Sequence, residues 1–147
     1  QQLVKKYLML TGRDVPWVRN RCDAPIAHHP DRKNRMVVQR GRNTPHRGKW
    51  YEAVTEFRRA VKGAHPVGAG HGAGRHLCEV TMRGGVVQQI RVHAGFLGVP
   101  LLGDRRDGGG PTPEDAPPGV EFFLHHVGLT GPEGFRSGKV ERPGWAG

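Results

Sequence analysis

Arg91 lies between Ile90 and Val92, two residues before His93, in the stretch 86–110, which reads VVQQIRVHAGFLGVPLLGDRRDGGG. Its guanidinium is permanently charged and planar, with a fork of donors that matches a carboxylate or phosphate. Apolar neighbours in a glycine-rich setting point to a planar anion held in a semi-buried site. A surface arginine on an ordinary helix is the plainer reading, and the residues alone leave both open. Tyr7, inside the apolar run LVKKYLML, reads by itself as a core aromatic on a strand. Asp104 follows Gly103 in a Gly-Asp turn, where a short carboxylate ordinarily accepts backbone N–H bonds and so serves structure. Gln88 and Gln89 suit hydrogen bonds either to the helix surroundings or to a bound partner.

Metal and thiol chemistry find little support. The nine histidines include two adjacent pairs, His28-His29 and His125-His126, with no partner motif at ligand spacing. Structural or solvent-facing histidines are therefore expected, with no metal and no organic cofactor. Cys22 and Cys78 are far apart and form no CxxC, so neither a zinc site nor a disulfide framework is indicated.

Charge gives the broadest constraint. A formal net charge of +10 over 147 residues favours a polyanionic partner, above all nucleic acid. A membrane surface ranks far lower, because no basic amphipathic helix and no apolar run near 18 residues occurs. The basic stretch Gly41 to Lys49 carries Arg42, His46, Arg47 and Lys49 among Gly, Asn and Pro. It reads either as a solvated loop or as a grip on a phosphate backbone. Arg105 and Arg106, just past the Gly-Asp turn, join that grip. A cytoplasmic, monomeric protein is expected.

These residues need elements to position them. Leu3 to Leu10 reads as a strand buried on its Tyr7 to Leu10 side. Gly12 to Asn20 reads as a loop, Asp23 to Ala27 as a short extended piece, and Arg35 to Gln39 as another strand. From Trp50 to Val61, Tyr51, Ala53, Thr55, Phe57 and Val61 alternate with Glu52, Glu56 and Arg58, which predicts one long strand. A long hairpin loop over 62–74 leads to its partner, in which His76, Cys78, Val80 and Met82 share a face. Gln88 to Leu97 fits a short helix with Ile90, Ala94 and Leu97 towards the sheet, stopped by Gly98 and Pro100. Gly108 to Gly119 is a surface loop, Glu121 to Leu129 the last strand, and 130–147 mostly turn and tail. One domain over 1–147 is expected, α+β, with a mainly antiparallel mixed sheet and one or two short helices. The chain opens without methionine, directly on a strand pattern, as if entered midway through a fold.

Four blocks in order resemble RluA-type RNA pseudouridine synthases. Lys6-Tyr-Leu-Met-Leu-Thr-Gly12 resembles that family's K-x-Y-x-A-x-V-x-G strand. Gly85-Val-Val-Gln-Gln-Ile-Arg-Val-His93, then Leu97-Gly-Val-Pro100 and Gly103-Asp104, resembles T-G-R-x-H-Q-I-R-V-H … L-G-x-P-x-x-G-D-x-x-Y-G. Glu52-Ala-Val-Thr-Glu-Phe57 is similar to the A-x-T-x-[FY] strand, and Leu124-His-His-Val-Gly-Leu129 to the closing L-H-A-x-x-L strand. The likeness implies the C-terminal part of a pseudouridine synthase-like catalytic domain that isomerises uridine to pseudouridine in rRNA or tRNA.

The resemblance assigns Arg91 to hold a catalytic aspartate ionised and oriented, and Tyr7 to lie against the extracted base and handle its proton. His93 and Asp104 would be structural beside the site, and Gln88 would face RNA. The family's aspartate stands in an R-L-D-x-x-T-S-G setting, and none of the chain's own aspartates has that context. The chain is therefore expected to be inactive alone, as a truncated enzyme or a decayed copy. Gln88 stands where histidine is usual, Val86 and Val87 replace an Arg-Thr pair, Val99 takes a place often held by histidine, and Asp107 that of a tyrosine. Those departures also suit a non-catalytic RNA-binding module on the same fold, or a basic structural domain whose charge is incidental.

Overall fold

β1 (Val4–Thr11) runs through the middle of the fold, paired antiparallel with β7 (His76–Arg83) on one edge and β8 (Leu124–Thr130) on the other. A computed structural model describes residues 3–60, 75–116 and 118–130. β1 can be central because Leu8 to Thr11 are buried on both faces of the sheet. β6 (Val54–Arg59) and β2 (Arg19–Cys22) extend the sheet beyond β7, giving the order β2-β6-β7-β1-β8. β4 (Met36–Val38), β3 (Ile26–His28) and β5 (Arg47–Tyr51) form a second, three-stranded sheet. Every strand pairing among the described residues is antiparallel, so the expected mixed sheet resolves into two antiparallel ones.

One face of the large sheet is closed by α1 (Gln89–Phe96), whose Ile90 and Ala94 pack with Met9, Phe57, Val80 and Met82. The opposite face is closed by Phe123 against Leu8, Leu10 and Leu77. Val92, on another side of α1, packs with Ile26, Met36 and Val38 of the small sheet and with Ala53 beside it. The helix thus joins both sheets, and its three apolar contacts fix which way Arg91 points. Cys78 is fully buried in the main core, and burial pushes its thiol up to about 12, so it has no use as a nucleophile at neutral pH.

The helix ends as its sequence dictates. Gly98 adopts φ +84°, its N–H reaches Gly95 O, and the Val99 N–H reaches Ala94 O. These two bonds make a Schellman stop, and Val99 and Ala94 supply its apolar contact in the core.

Three boundaries differ from the sequence reading. The alternating run from Trp50 is two strands: β5 ends at Tyr51, β6 begins at Val54, and buried Ala53 lies between them. Alternation reports which side is buried and cannot tell that the burying sheet has changed. Arg47 and Lys49 therefore sit on β5 and not in a loop. Arg19 and Asn20, read as loop, begin β2, an edge strand with little apolar content to announce it. The last strand starts at Leu124, after Phe122 and Phe123 have packed outside it. Val61, the 62–74 loop and the tail beyond Thr130 lie outside the described residues.

Candidate active site

Tyr7 and Arg91, far apart in sequence, line one pocket of about 240 Å³. β1 contributes Lys5 and Tyr7, β7 contributes Met82, and the turn into α1 contributes Gly85, Val86 and Gln88. Phe122 and Leu124 close the side leading into β8. Strand alternation puts Lys5 and Tyr7 on one face of β1, the face on which α1 lies. The Tyr7 ring meets His126 edge-on at 5.1 Å, and burial raises its pKa, so the phenol stays protonated at neutral pH. A half-buried phenol and a guanidinium in a half-apolar hollow, with Lys5 and Gln88 also on its lining, suit a flat, uncharged, hydrogen-bonding ring.

Arg91 already has its carboxylate. Its Nε donates to Asp104 Oδ2 at 3.0 Å and Nη2 donates to Oδ1 at 2.7 Å, a two-pronged pair. The Asp104 side chain is wholly buried and that of Arg91 is 18% exposed. This corrects the expectation that Asp104 spends its side chain on its own turn, and it gives Arg91 a carboxylate from its own chain. The turn closes through the main chain instead, with Asp104 N donating to Leu101 O and Gly109 N donating to Asp104 O. The hydrogen bond to Asp104 raises the Arg91 pKa. Of the five guanidinium N–H groups two go to Asp104, leaving three to serve the pocket or the Phe122 ring, whose centroid lies 4.4 Å from the guanidinium carbon. Asp104 therefore anchors Arg91 and aims its free edge.

Asp107, in a single 3-10 turn (Arg105–Asp107), stands behind that pair. Burial, then the charge and hydrogen bonding of Asp104, push its carboxyl up to about 6. The close packing of this turn depends on glycines. A Cβ on Gly109 would overlap Leu101 O, and one on Gly95 would press on Asp107 Cβ at 3.0 Å.

His93 is held in a buried chain of hydrogen bonds. Its Nε2 lies 2.8 Å from Ala24 O, which can only accept, so Nε2 carries the proton. Nδ1 then accepts from Thr55 Oγ1 at 2.7 Å, and Thr55 in turn accepts from Gln89 Nε2 at 3.1 Å. Burial lowers the His93 pKa, in keeping with this neutral form. Gln89 also reaches Val54 O and Arg83 O, tying the start of α1 to β6 and β7 in place of an N-cap side chain. Gln88, at φ +61°, donates to Asn34 O at 2.6 Å while still lining the pocket.

The basic residues do not converge on the pocket. Arg42, Arg47 and Lys49 are exposed, and the His46 ring stacks on Trp50 at 4.2 Å. Lys49 places its ammonium 5.0 Å from the Tyr51 ring centre. Arg105 is exposed, whereas Arg106 donates to Asn34 O at 2.6 Å and accepts from Arg35 through its own carbonyl. Arg106 lines a separate groove of about 630 Å³ with Arg35 and Arg40. Sequence reasoning missed Lys5, Phe122 and the Arg35–Arg40–Arg106 grouping. It also missed the aromatics of Arg47–Tyr51, although basic and aromatic residues interleaved on one strand were a readable signal.

Comparison with known proteins bears on the fold. No family profile matches the chain. Over 89 residues it is 36% identical to RNA pseudouridine synthase 2, chloroplastic, of Oryza sativa subsp. japonica. That match takes in 60% of this chain and 18% of the rice protein. Human RNA Pseudouridylate Synthase Domain Containing 1 superposes with a TM-score of 0.64 at 21% identity, covering 96% of this chain and 54% of that one. The chain has the pseudouridine synthase fold. Human RNA Pseudouridylate Synthase Domain Containing 4 overlaps less fully, at a TM-score of 0.49 and 20% identity. The chain thus spans about half of the superposed human protein and less than a fifth of the rice one.

Proposed function

We propose that this chain forms the uridine pocket of an RluA-type RNA pseudouridine synthase, which converts uridine to pseudouridine in rRNA or tRNA. The observation that carries the reading is the convergence of Tyr7 and Arg91 on one half-apolar hollow, with Arg91 fixed by Asp104. An enzyme acting on a base inside RNA must take that base out of the stack, and such a hollow receives it. Uracil would lie against Tyr7 and Phe122, with the remaining Arg91 N–H groups turned to its carbonyl oxygens or to an incoming carboxylate. Tyr7, kept protonated by burial, can donate to the ring and return a proton to it. The carboxylate that starts the reaction, an aspartate by family resemblance, comes from outside these 147 residues.

The RNA strand on either side would be held by the exposed cations Arg42, Arg47, Lys49 and Arg105, with His46 and Arg106 at their borders. On this reading the protein would work as a monomer in the cytoplasm. A second reading, a non-catalytic RNA-binding module on this fold, draws on the full two-pronged engagement of Arg91 by Asp104. The two separate on product. The complete protein containing this chain is incubated with RNA, and pseudouridine is located by carbodiimide-dependent reverse-transcription stops. Stops at defined uridines support the enzyme; RNA binding without any stop leaves the module.

A further inference from the structure

A second cavity opens directly beside the candidate active site. It measures about 400 Å³ and lies between the start of the small sheet and the turn 84–87, with His28, Tyr51 and Glu52 among its lining. Gly85 and Val86 line both this cavity and the pocket of Tyr7 and Arg91, so a two-residue wall separates them. We propose that this cavity holds the unpaired nucleobase next to the uridine taken into the first pocket, and that Glu52 selects for a neighbour bearing an exocyclic amine. The inference rests on the proposed RNA reading and adds to it a sequence preference.

The chemistry of the lining supports it. Tyr51 offers a flat, half-buried ring, crossed edge-on by His28 at 6.3 Å and 79°. Base–aromatic stacking is tolerant of base identity, so Tyr51 supplies affinity without choice. Lys49 holds its ammonium over one face of the Tyr51 ring, 5.0 Å from its centre, and the phosphate of a nucleotide arriving at that ring would draw it aside into an ion pair. Val87, 64% exposed and lining this cavity alone, gives the seated nucleotide an apolar surface to cover. Glu52 is exposed and, among the described residues, makes no hydrogen bond or ion pair. An ionised carboxylate only accepts, and beside a phosphate chain it is a penalty unless donors face it. Cytosine, adenine and guanine each present an amine; uracil presents two carbonyl oxygens around a single N–H. Glu52 therefore acts mainly by rejecting uracil.

The test measures binding of this chain to fluorescein-labelled unstructured heptanucleotides by anisotropy. Each carries a central uridine, and the base on one side of it, then on the other, is varied among C, A, G and U. On one side, C, A and G are expected to bind about tenfold tighter than U. Glu52→Gln, whose amide serves uracil equally well, should bring that ratio within about twofold. Tyr51→Leu should weaken all the oligomers by roughly tenfold and leave their ranking unchanged. Circular dichroism of both variants confirms that they fold as the parent does. Equal affinity for all neighbours in the parent, or a preference that survives Glu52→Gln, overturns the proposal while the RNA reading stands. Failure to bind any of the oligomers overturns both.

Discussion

Arg91 shows how a single side chain can be recognised from its neighbours while its partner cannot. Its type and apolar flanks suggested a bound planar anion, but Asp104 lies thirteen residues on, across a helix stop and a turn whose main chain closes itself. Removing a buried charge leaves its partner uncompensated, so Asp104→Ala should lower stability by about 3 kcal/mol, read as a fall in the urea midpoint at constant slope. The Thr55 hydroxyl was legible only as a buried strand residue; its place between Gln89 and His93 needed the fold. Thr55→Val keeps the shape but strips both neighbours of their bond, and should cost about 2 kcal/mol by the same measurement. Asp107 makes a pH-dependent contribution. Its folded pKa, about 6, lies above its ordinary value of 3.8, so the folded state holds the proton more tightly. The stability this group contributes is fully present below about pH 4 and is lost as pH rises through about 6. His93, buried neutral with a lowered pKa, works in the opposite sense, since stability is lost as pH falls below its ordinary value of 6.5. Asp107→Asn isolates the first effect. The variant should match the parent near pH 4 and exceed it at pH 7 by at most about 1 kcal/mol after solvent screening, followed by thermal unfolding at both values.

At the scale of elements, the helix and its stop were the most legible part of the chain. A glycine at C′ followed by Val-Pro leaves one way to end a helix, and the bonds from Gly98 and Val99 take it. The break between β5 and β6 was hidden because Ala53 and Thr55 keep the alternation going while the strands around them serve different sheets. The glycine cluster after the Gly-Asp turn was visible as a cluster but not as a set of unequal residues. Gly109 packs so close to Leu101 that a methyl group cannot be placed, whereas Gly41 has nothing within 4 Å. Gly109→Ala should therefore collapse the turn that carries Asp104, lowering the melting temperature by more than 10 °C, and Gly41→Ala should shift it by less than about 2 °C. A Gly109→Ala protein melting with the parent would show that this turn does not hold Asp104 as described.

At the scale of the whole molecule, two antiparallel sheets joined by one helix bring β1, β7, β8 and the 85–91 segment to a single hollow. Composition pointed to a polyanion, and among the described residues Arg42, Arg47, Lys49 and Arg105 are exposed and do not line that hollow. Affinity for RNA should accordingly come from counterion release. Filter binding should lose at least about tenfold between 50 and 200 mM salt, and a flat response would remove the RNA role. On the proposed reading chemistry should behave differently, because the pocket residues would meet the base alone. The most direct test compares the complete protein carrying Tyr7→Phe with its parent, measuring both RNA affinity and the rate of pseudouridine formation. The account predicts turnover in the parent and a loss of about 100-fold or more in the variant, with RNA affinity within about threefold of the parent. Undiminished turnover in Tyr7→Phe, or a parent that binds RNA yet forms no pseudouridine, would contradict it.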